Sequence, residues 1–336
     1  MQSEIKPKIS ISIGDFNGIG PEIILKSLSS ANLQRSTPVI ISPLEIIEFY
    51  TELLNIDLNF NVLKDDNEMR SGEINILPVN ETDLKVTPGT LSIESGKVAM
   101  SAIETGIQLC MSNKADALVT APISKESVNL AGYDIPGHTE FLASSTNTDS
   151  VLMMLVSGPL RVALVTTHIP VKEIAKTITP SLIKEKADLL ANSLRRDFGI
   201  KEPKIAVFGL NPHAGDGGVI GMEEIDIIIP TLKEINRNSK IFHVSGPYPA
   251  DGFFGQKLYE QYDGILAMYH DQGLAPFKLL SFGKGVNFTA GLPIIRTSPD
   301  HGTAFNIAGK GVANPSSFKE AYDLAVELSN KKLRED

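Results

Sequence analysis

The chain has 336 residues, 42% of them hydrophobic and 21% charged, with a formal net charge of -9. That is enough apolar material for one extended core or two domains, and an acidic balance with no basic face or tail excludes a general nucleic-acid binder. A single cysteine, Cys110, excludes an internal disulfide and a Cys-rich zinc module; no apolar signal core opens the chain and no stretch is long enough to span a bilayer, so a cytoplasmic protein is expected.

In chain order, short β-rich runs alternate with longer helical patterns, which predicts parallel βαβ units. Lys8 to Ile13 is the first strand. It runs into Gly14-Asp15-Phe16-Asn17-Gly18-Ile19-Gly20-Pro21-Glu22, where Pro21 is placed to open a helix through Ile23, Ile24, Leu25 and Leu28. Glycines ahead of a helix let an anion approach the backbone, but this spacing is neither the dinucleotide fingerprint nor a P-loop, so a tight structural turn reads equally well. Pro38 to Ser42 is a second strand and Leu44 to Leu54 a helix; strands at Asn59 to Leu63 and Glu73 to Leu77 flank a polar loop, Lys64 to Gly72. Leu91 to Met111 reads as a long helix with Val98, Ala102, Ile103, Ile107 and Cys110 near one face. Asp116 to Thr120 is the next strand, and Ala121-Pro122-Ile123-Ser124-Lys125 leads from it into another helix.

The middle of the chain carries the histidines. Gly137-His138-Thr139-Glu140-Phe141 follows a turn-rich stretch, Gly132 to Pro136. Three further histidines each come directly after an apolar strand: His168 after Arg161 to Val165, His213 after Lys204 to Phe208, and His270 after Gly264 to Met268. Ligands of an open parallel sheet bind at that carboxyl edge. One histidine after a strand is more often a hydrogen-bonded loop residue; three at one edge favour a divalent transition metal, because three imidazoles leave a coordination position open for chemistry. His243, within a strand expected at Lys240 to Val244, reads as structural.

The strand ending at Met268 is followed by Tyr269-His270-Asp271-Gln272-Gly273-Leu274-Ala275-Pro276-Phe277-Lys278, taken as a loop. Lys278, Asn287 in the strand-like Val286 to Thr289, and Arg296 at the end of Leu292 to Ile295 are cations and an amide suited to clamp a phosphate or carboxylate. Any one alone reads better as a surface residue; their weight comes from lying between His270 and the Gly-rich stretch His301 to Gly311.

Taken together, Gly14 to Glu22, Ala121 to Lys125, Gly137 to Phe141, Thr166 to Pro170, Gly209 to Gly215, Tyr269 to Lys278 and Gly291 to Gly311 resemble the 4-hydroxythreonine-4-phosphate dehydrogenase (PdxA) family of pyridoxal phosphate biosynthesis, from about residue 8 to the C-terminal helix. The resemblance implies an isocitrate/isopropylmalate dehydrogenase-like fold, two α/β/α domains flanking a cleft. Residues 1–135 plus 290–336 would form the nucleotide side, and 136–289 the metal and dimer side. It implies a homodimer with shared active sites, NAD as cofactor with NADP also open, and one divalent metal per site (Zn, or Mg, Co or Mn).

Carried over by position, His168, His213 and His270 are the implied metal ligands, and His138, Thr139, Lys278, Asn287 and Arg296 the implied substrate contacts. The stretch His301 to Pro315 resembles an adenosine-binding loop, which places His301, Gly302, Thr303, Asn306, Gly309 and Asn314 on the cofactor. Asp251 and Asp271 are candidates for proton transfer or for orienting the histidines, and either is equally a helix cap. The implied reaction is oxidation of 4-phosphooxy-L-threonine at C3 and decarboxylation to 3-amino-2-oxopropyl phosphate. The alternative is a paralogue acting on 4-phospho-D-threonate or 4-phospho-erythronate. A phosphotransacetylase-like acyltransferase or a non-catalytic binder has no use for three histidines at one edge.

Three departures stand out. Phe16-Asn17 replaces the usual Pro-Ala, Gly252 the usual Thr, and Asn306 an Asp whose charge disfavours a 2'-phosphate.

Overall fold

Strand β1 (Lys8–Ser12) begins the first sheet, with Ile9 and Ile11 fully buried. After it come α1 (Gly20–Ser29), β2 (Thr37–Ile41), α2 (Leu44–Leu54), β3 (Phe60–Val62), β4 (Ile74–Leu77), α3 (Ile93–Met111), β5 (Ala117–Thr120), α4 (Lys125–Leu130) and α5 (His138–Ser145). A computed structural model describes residues 6–79, 84–134 and 137–335. Met1 to Ile5, and Ile135 and Pro136 at the end of the expected turn, lie outside the described residues.

The next elements are β6 (Leu152–Ser157), β7 (Leu160–Leu164), α6 (Ile174–Thr177), α7 (Pro180–Arg196), β8 (Lys204–Phe208), α8 (Ile229–Asn238), β9 (His243–Tyr248), α9 (Ala250–Gly255), β10 (Gly264–Ala267), α10 (His270–Ser281) and β11 (Val286–Ala290). Then β12 (Ile295–Pro299) and α11 (Ser316–Glu335) close the chain. Contacts divide it into two compact units, Met1–Asp149 with Leu292–Asp336, and Ser150–Gly291. The first boundary falls later than the expected 135/136 because α5 packs against α3 of the first unit.

In the first unit the strand order is β3-β4-β2-β1-β5-β12, and every pair is parallel. Helix α3 buries the face expected from its period, Val98, Ala102, Ile103, Ile107 and Cys110, and packs along β1. Of these, Val98, Ile103 and Ile107 each contribute roughly 1.5–3 kcal/mol by burial. Ser92 caps α3 by accepting from the Ser95 amide at 3.0 Å. Helix α11 lies along β12, tied by Thr297 Oγ1 donating to the Ala321 carbonyl at 2.8 Å.

In the second unit the order is β11-β6-β7-β10-β8-β9. The all-parallel expectation fails here: β6 is antiparallel to both β7 and β11. Only Gly158-Pro159 separates β6 from β7, and a two-residue connection permits an antiparallel hairpin alone, with Gly158 taking the corner at φ 54°. Strand β11 returns beside β6, pairing Ala290 with Leu152, so the unit's two ends leave side by side. Its core gathers Val162, Leu164, Phe208, Phe253, Ile265, Leu274 and Phe277.

Three local expectations are corrected. His243 starts β9 rather than sitting within a strand at 240–244, and it is exposed. The stretch from His270 is helix rather than loop, despite Gly273 and Pro276. Arg296 lies inside β12 rather than at the end of a strand, because Pro293 delays entry into the ladder to Ile295. No helix among the described residues is long and apolar enough to cross a membrane.

Candidate active site

Strands β7, β10 and β8 are neighbours and mutually parallel, so all three chain exits bearing His168, His270 and His213 lie at one edge of the second unit's sheet. The exits are tied together by hydrogen bonds. Thr166 donates its amide (3.2 Å) and its hydroxyl (2.7 Å) to the Met268 carbonyl, joining β7 to β10. The Gln272 side chain accepts from the Met268 amide at 2.7 Å and donates to the Gly209 carbonyl at 2.7 Å, joining β10 to β8.

His270 is the first residue of α10. The helix approaches β7 and β10 closely because residue 273 is glycine; a Cβ there would meet Leu164 Cδ2 and Val162 Cγ1 at 2.9 Å. The rings of His168 and His270 have centroids 5.9 Å apart. His270 Nδ1 lies 2.7 Å from Asp271 Oδ1, so in the tautomer with Nδ1–H donating to that oxygen the Nε2 lone pair is left outward. Asp271 thus has a partner in His270. Asp251, exposed in the first turn of α9, instead lines a cavity of about 390 Å³ with His213, Asn211, Phe254, Tyr269 and Gln272.

His213 sits on an unusual turn. His213, Ala214, Gly215, Asp216 and Gly217 all have left-handed backbone, with φ of 53°, 52°, 81°, 43° and 64°. Each non-glycine residue so placed costs about 1–2 kcal/mol, and such strain persists only where surroundings over-determine it. Glu224, buried at 1% exposure, supplies part of that constraint by accepting from the amides of Leu210 (2.7 Å) and Asn211 (2.8 Å) and from Asn211 Nδ2 (2.9 Å).

Among the described residues no three His, Cys, Asp or Glu side chains gather closely enough to hold an ion as they stand. Two features nevertheless fit a divalent ion: the His168–His270 ring separation, and the carboxylate behind His270 that fixes its tautomer. Lys278, in the third turn of α10, is exposed, and Asn287 is half-buried on β11 opposite Leu155.

The remaining substrate candidates belong to the first unit. Arg296 is fully buried; its Nε and Nη2 donate to Thr120 Oγ1 at 3.1 and 2.6 Å, and burial lowers its pKa to about 9. His138 opens α5 with Thr139 next to it. The Nε2 of His138 is sealed from solvent without a hydrogen-bond partner among the described residues. Burial, and then the charges of Arg296 and Lys125, hold this imidazole well below its usual pKa. The result is a neutral ring with a vacant polar atom beside two cations, an arrangement that suits an anionic ligand.

The turn Gly14 to Glu22 is interlocked with the expected cofactor loop. Asn17 accepts from the Thr87 amide through its side chain (2.8 Å) and from the Gly89 amide through its carbonyl (2.7 Å). Ile19 donates to the Thr303 carbonyl at 2.9 Å, and Glu22 accepts from the Ala313 amide (2.8 Å) and from Lys26 (2.7 Å). Of the cofactor candidates, His301, Gly302, Asn306 and Asn314 are exposed, and Thr303 and Gly309 half-buried. Gly309, at φ 73°, has no room for a Cβ, which would lie 2.7 Å from Pro88 Cβ. Asn314 has a local task, accepting from the Ser316 amide at the start of α11 at 2.9 Å.

Asp15, buried in the same turn, accepts from the Asn17 amide at 3.0 Å, yet burial raises its pKa above 3.8. A raised carboxyl pKa means that the folded chain holds the proton more tightly than the unfolded one. The associated stability is full below the unfolded value and disappears as pH rises through the folded value. Asp15→Asn keeps the acceptor and removes the charge, so its melting temperature should gain on wild type as pH rises above about 4, until the folded carboxyl has fully ionised. A constant difference in melts across that range would contradict the assignment.

Gln272, Glu224 and Thr120 were not singled out by sequence reasoning. Gln272 stood within a recognised motif, whereas nothing local marks Glu224 or Thr120.

The profile of the family described as pyridoxal phosphate biosynthetic protein PdxA matches residues 34–325. The chain is similar to a 4-hydroxythreonine-4-phosphate dehydrogenase of Bacteroides thetaiotaomicron, 45% identical over 334 residues that cover 99% of this chain and 91% of that protein. One from Prosthecochloris aestuarii is 44% identical, covering 96% of this chain and 98% of its own length. The crystal structure of a 4-hydroxythreonine-4-phosphate dehydrogenase from Klebsiella pneumoniae superposes with a TM-score of 0.88 at 37% identity, over 96% of this chain and all of that one. A chain matched over most of its length by one profile, and aligned nearly end to end with such relatives, belongs to the pyridoxal phosphate biosynthetic protein PdxA family.

Proposed function

We propose that this chain is an oxidoreductase that oxidises 4-hydroxythreonine 4-phosphate with a nicotinamide cofactor, in pyridoxal phosphate biosynthesis. The observation that carries the reading is near-complete alignment with dehydrogenases named for that substrate. Their names favour it over 4-phospho-D-threonate and 4-phospho-erythronate. In finer terms, 4-phosphooxy-L-threonine is oxidised at C3 and then loses carbon dioxide to give 3-amino-2-oxopropyl phosphate, with NAD as the acceptor.

His168, His213 and His270 would hold one divalent ion, supported by their positions just past the ends of three adjacent parallel strands. The chemistry such an ion supplies is Lewis-acid polarisation of a substrate oxygen, and the nicotinamide supplies the hydride acceptor. Asp271 orients His270 through its Nδ1. Asp251, exposed to the cavity that His213 lines, is the better placed of the two carboxylates to move a proton. Lys278, Asn287, His138, Thr139 and Arg296 are the residues that the family resemblance assigns to the substrate, with the phosphate on the cations.

His301, Gly302, Thr303, Asn306, Gly309 and Asn314 are assigned to the cofactor. Asn306 brings no negative charge, and its carbonyl accepts from Lys310 Nζ at 2.8 Å, so NADP is admitted as well. A homodimer is supported by large apolar side chains on the second unit's surface, Val219 at 83%, Leu279 at 75% and Phe282 at 86% exposure.

The test is an assay of the purified chain with NAD, a divalent ion and 4-phosphooxy-L-threonine. NADH should form. Turnover of 4-phospho-D-threonate or 4-phospho-erythronate, with none of this substrate, would move the chain to the paralogous activity.

A further inference from the structure

The left-handed turn His213 to Gly217 is built around a carboxylate that belongs to another element. Glu224 lies at the start of the π-helical turn Glu224–Ile228, and its two oxygens take three donors from the residues just before His213. The fit is close on every side. A Cβ on Gly215 would come within 2.6 Å of Glu224 Oε2, and one on Gly209 within 3.0 Å of Oε1 and 2.9 Å of Ala214 Cα. The same Gly209 donates to the Tyr248 carbonyl at 2.9 Å and accepts from Gln272 at 2.7 Å. The clamp therefore sits where the His213 turn is tied to the start of the His270 helix.

We propose that Glu224 is a positioning residue for His213: its carboxylate holds the turn in its left-handed form and so fixes where that imidazole stands. This rests on the reading of His213 as a metal ligand only for its consequence, since the clamp itself is a matter of backbone geometry. A carboxylate is required because all three partners are donors. A glutamine amide of the same shape turns an N–H₂ towards at least one of them, which loses that bond and leaves a buried donor facing a donor.

The test uses the whole chain, wild type and Glu224→Gln, with His213→Ala as reference and Asn211→Ala as a milder variant that removes one donor to Glu224 together with the 2.7 Å bond from the same Nδ2 to Glu223. Three quantities are read: amide hydrogen exchange at Leu210 and Asn211, the rate at which diethyl pyrocarbonate modifies His213, and Co²⁺ affinity from the visible spectrum of the bound ion. Glu224→Gln is expected to speed exchange at both amides, to change the His213 modification rate, and to weaken Co²⁺ about 10- to 100-fold, as outer-sphere partners of metal ligands do. Asn211→Ala should move each in the same direction by less, and it decides the matter if Glu224→Gln does not fold.

Unchanged exchange and an unchanged His213 modification rate would overturn the proposal. So would Co²⁺ affinity that falls in His213→Ala but stays at the wild-type value in Glu224→Gln. If His213→Ala binds Co²⁺ as wild type does, the metal reading fails, and the modification rate of His213 still decides the role of Glu224.

Discussion

His270→Ala is expected to abolish bound metal and to lower kcat/KM for NADH formation by about a thousandfold or more, on the order of 4 kcal/mol of transition-state stabilisation. The fold should survive, because His270 is partly exposed at the first position of α10 and, among the described residues, its side chain has a hydrogen bond with the neighbouring Asp271 and a ring contact with His168. The helix start is held instead by Gln272, through Met268 and Gly209. Metal content by elemental analysis, initial rates and a thermal melt separate these effects. A variant that keeps wild-type metal stoichiometry would remove His270 from the proposed ligand set.

Gly96→Ala is expected to give the largest loss of stability. A Cβ at residue 96 would lie 2.1 Å from the Ser127 carbonyl oxygen and 2.9 Å from the Val128 amide nitrogen, both backbone atoms of α4. No rotamer change relieves a backbone clash, so α4 must shift away from α3. Overpacking of this kind costs about 3 kcal/mol, which lowers the melting temperature by roughly 4 °C in a chain of this size. Lys125 moves with α4 and adds, after burial and Arg296, to what holds the His138 imidazole below its usual pKa, so activity should fall as well. An unchanged melt would mean that the two helices separate freely.

The legible parts of the fold are those whose cause is local. The buried face of α3 follows from helical period alone, and the limits of β8 from an apolar run between polar residues. Three histidines at three strand ends were visible as well, and the adjacency of β7, β10 and β8 places them at one edge. Other features depend on partners far along the chain. Helix α10 was hidden because Gly273 and Pro276 punctuate sequence like a loop; the glycine is there for close packing on β7, which no local signal reports. The turn at His213 was hidden because three of its five left-handed residues carry a Cβ, and what holds them, Glu224, lies more than ten positions away. Arg296 shows the same limit, being exposed by pattern but buried against Thr120 once β12 pairs with β5.

The side-by-side ends of the second unit bear on how the chain is made. Gly291 lies so close to Ser150 that a Cβ on it would be 2.9 Å from the Ser150 carbonyl oxygen. During synthesis the whole stretch from Ser150 to Gly291 leaves the ribosome before β12 and α11 exist, while the first sheet still has an unpaired edge at β5. Once the inserted stretch folds, it shortens a loop of some 140 residues to a few ångströms and delivers the last strand beside its partner, with little closure entropy left to overcome.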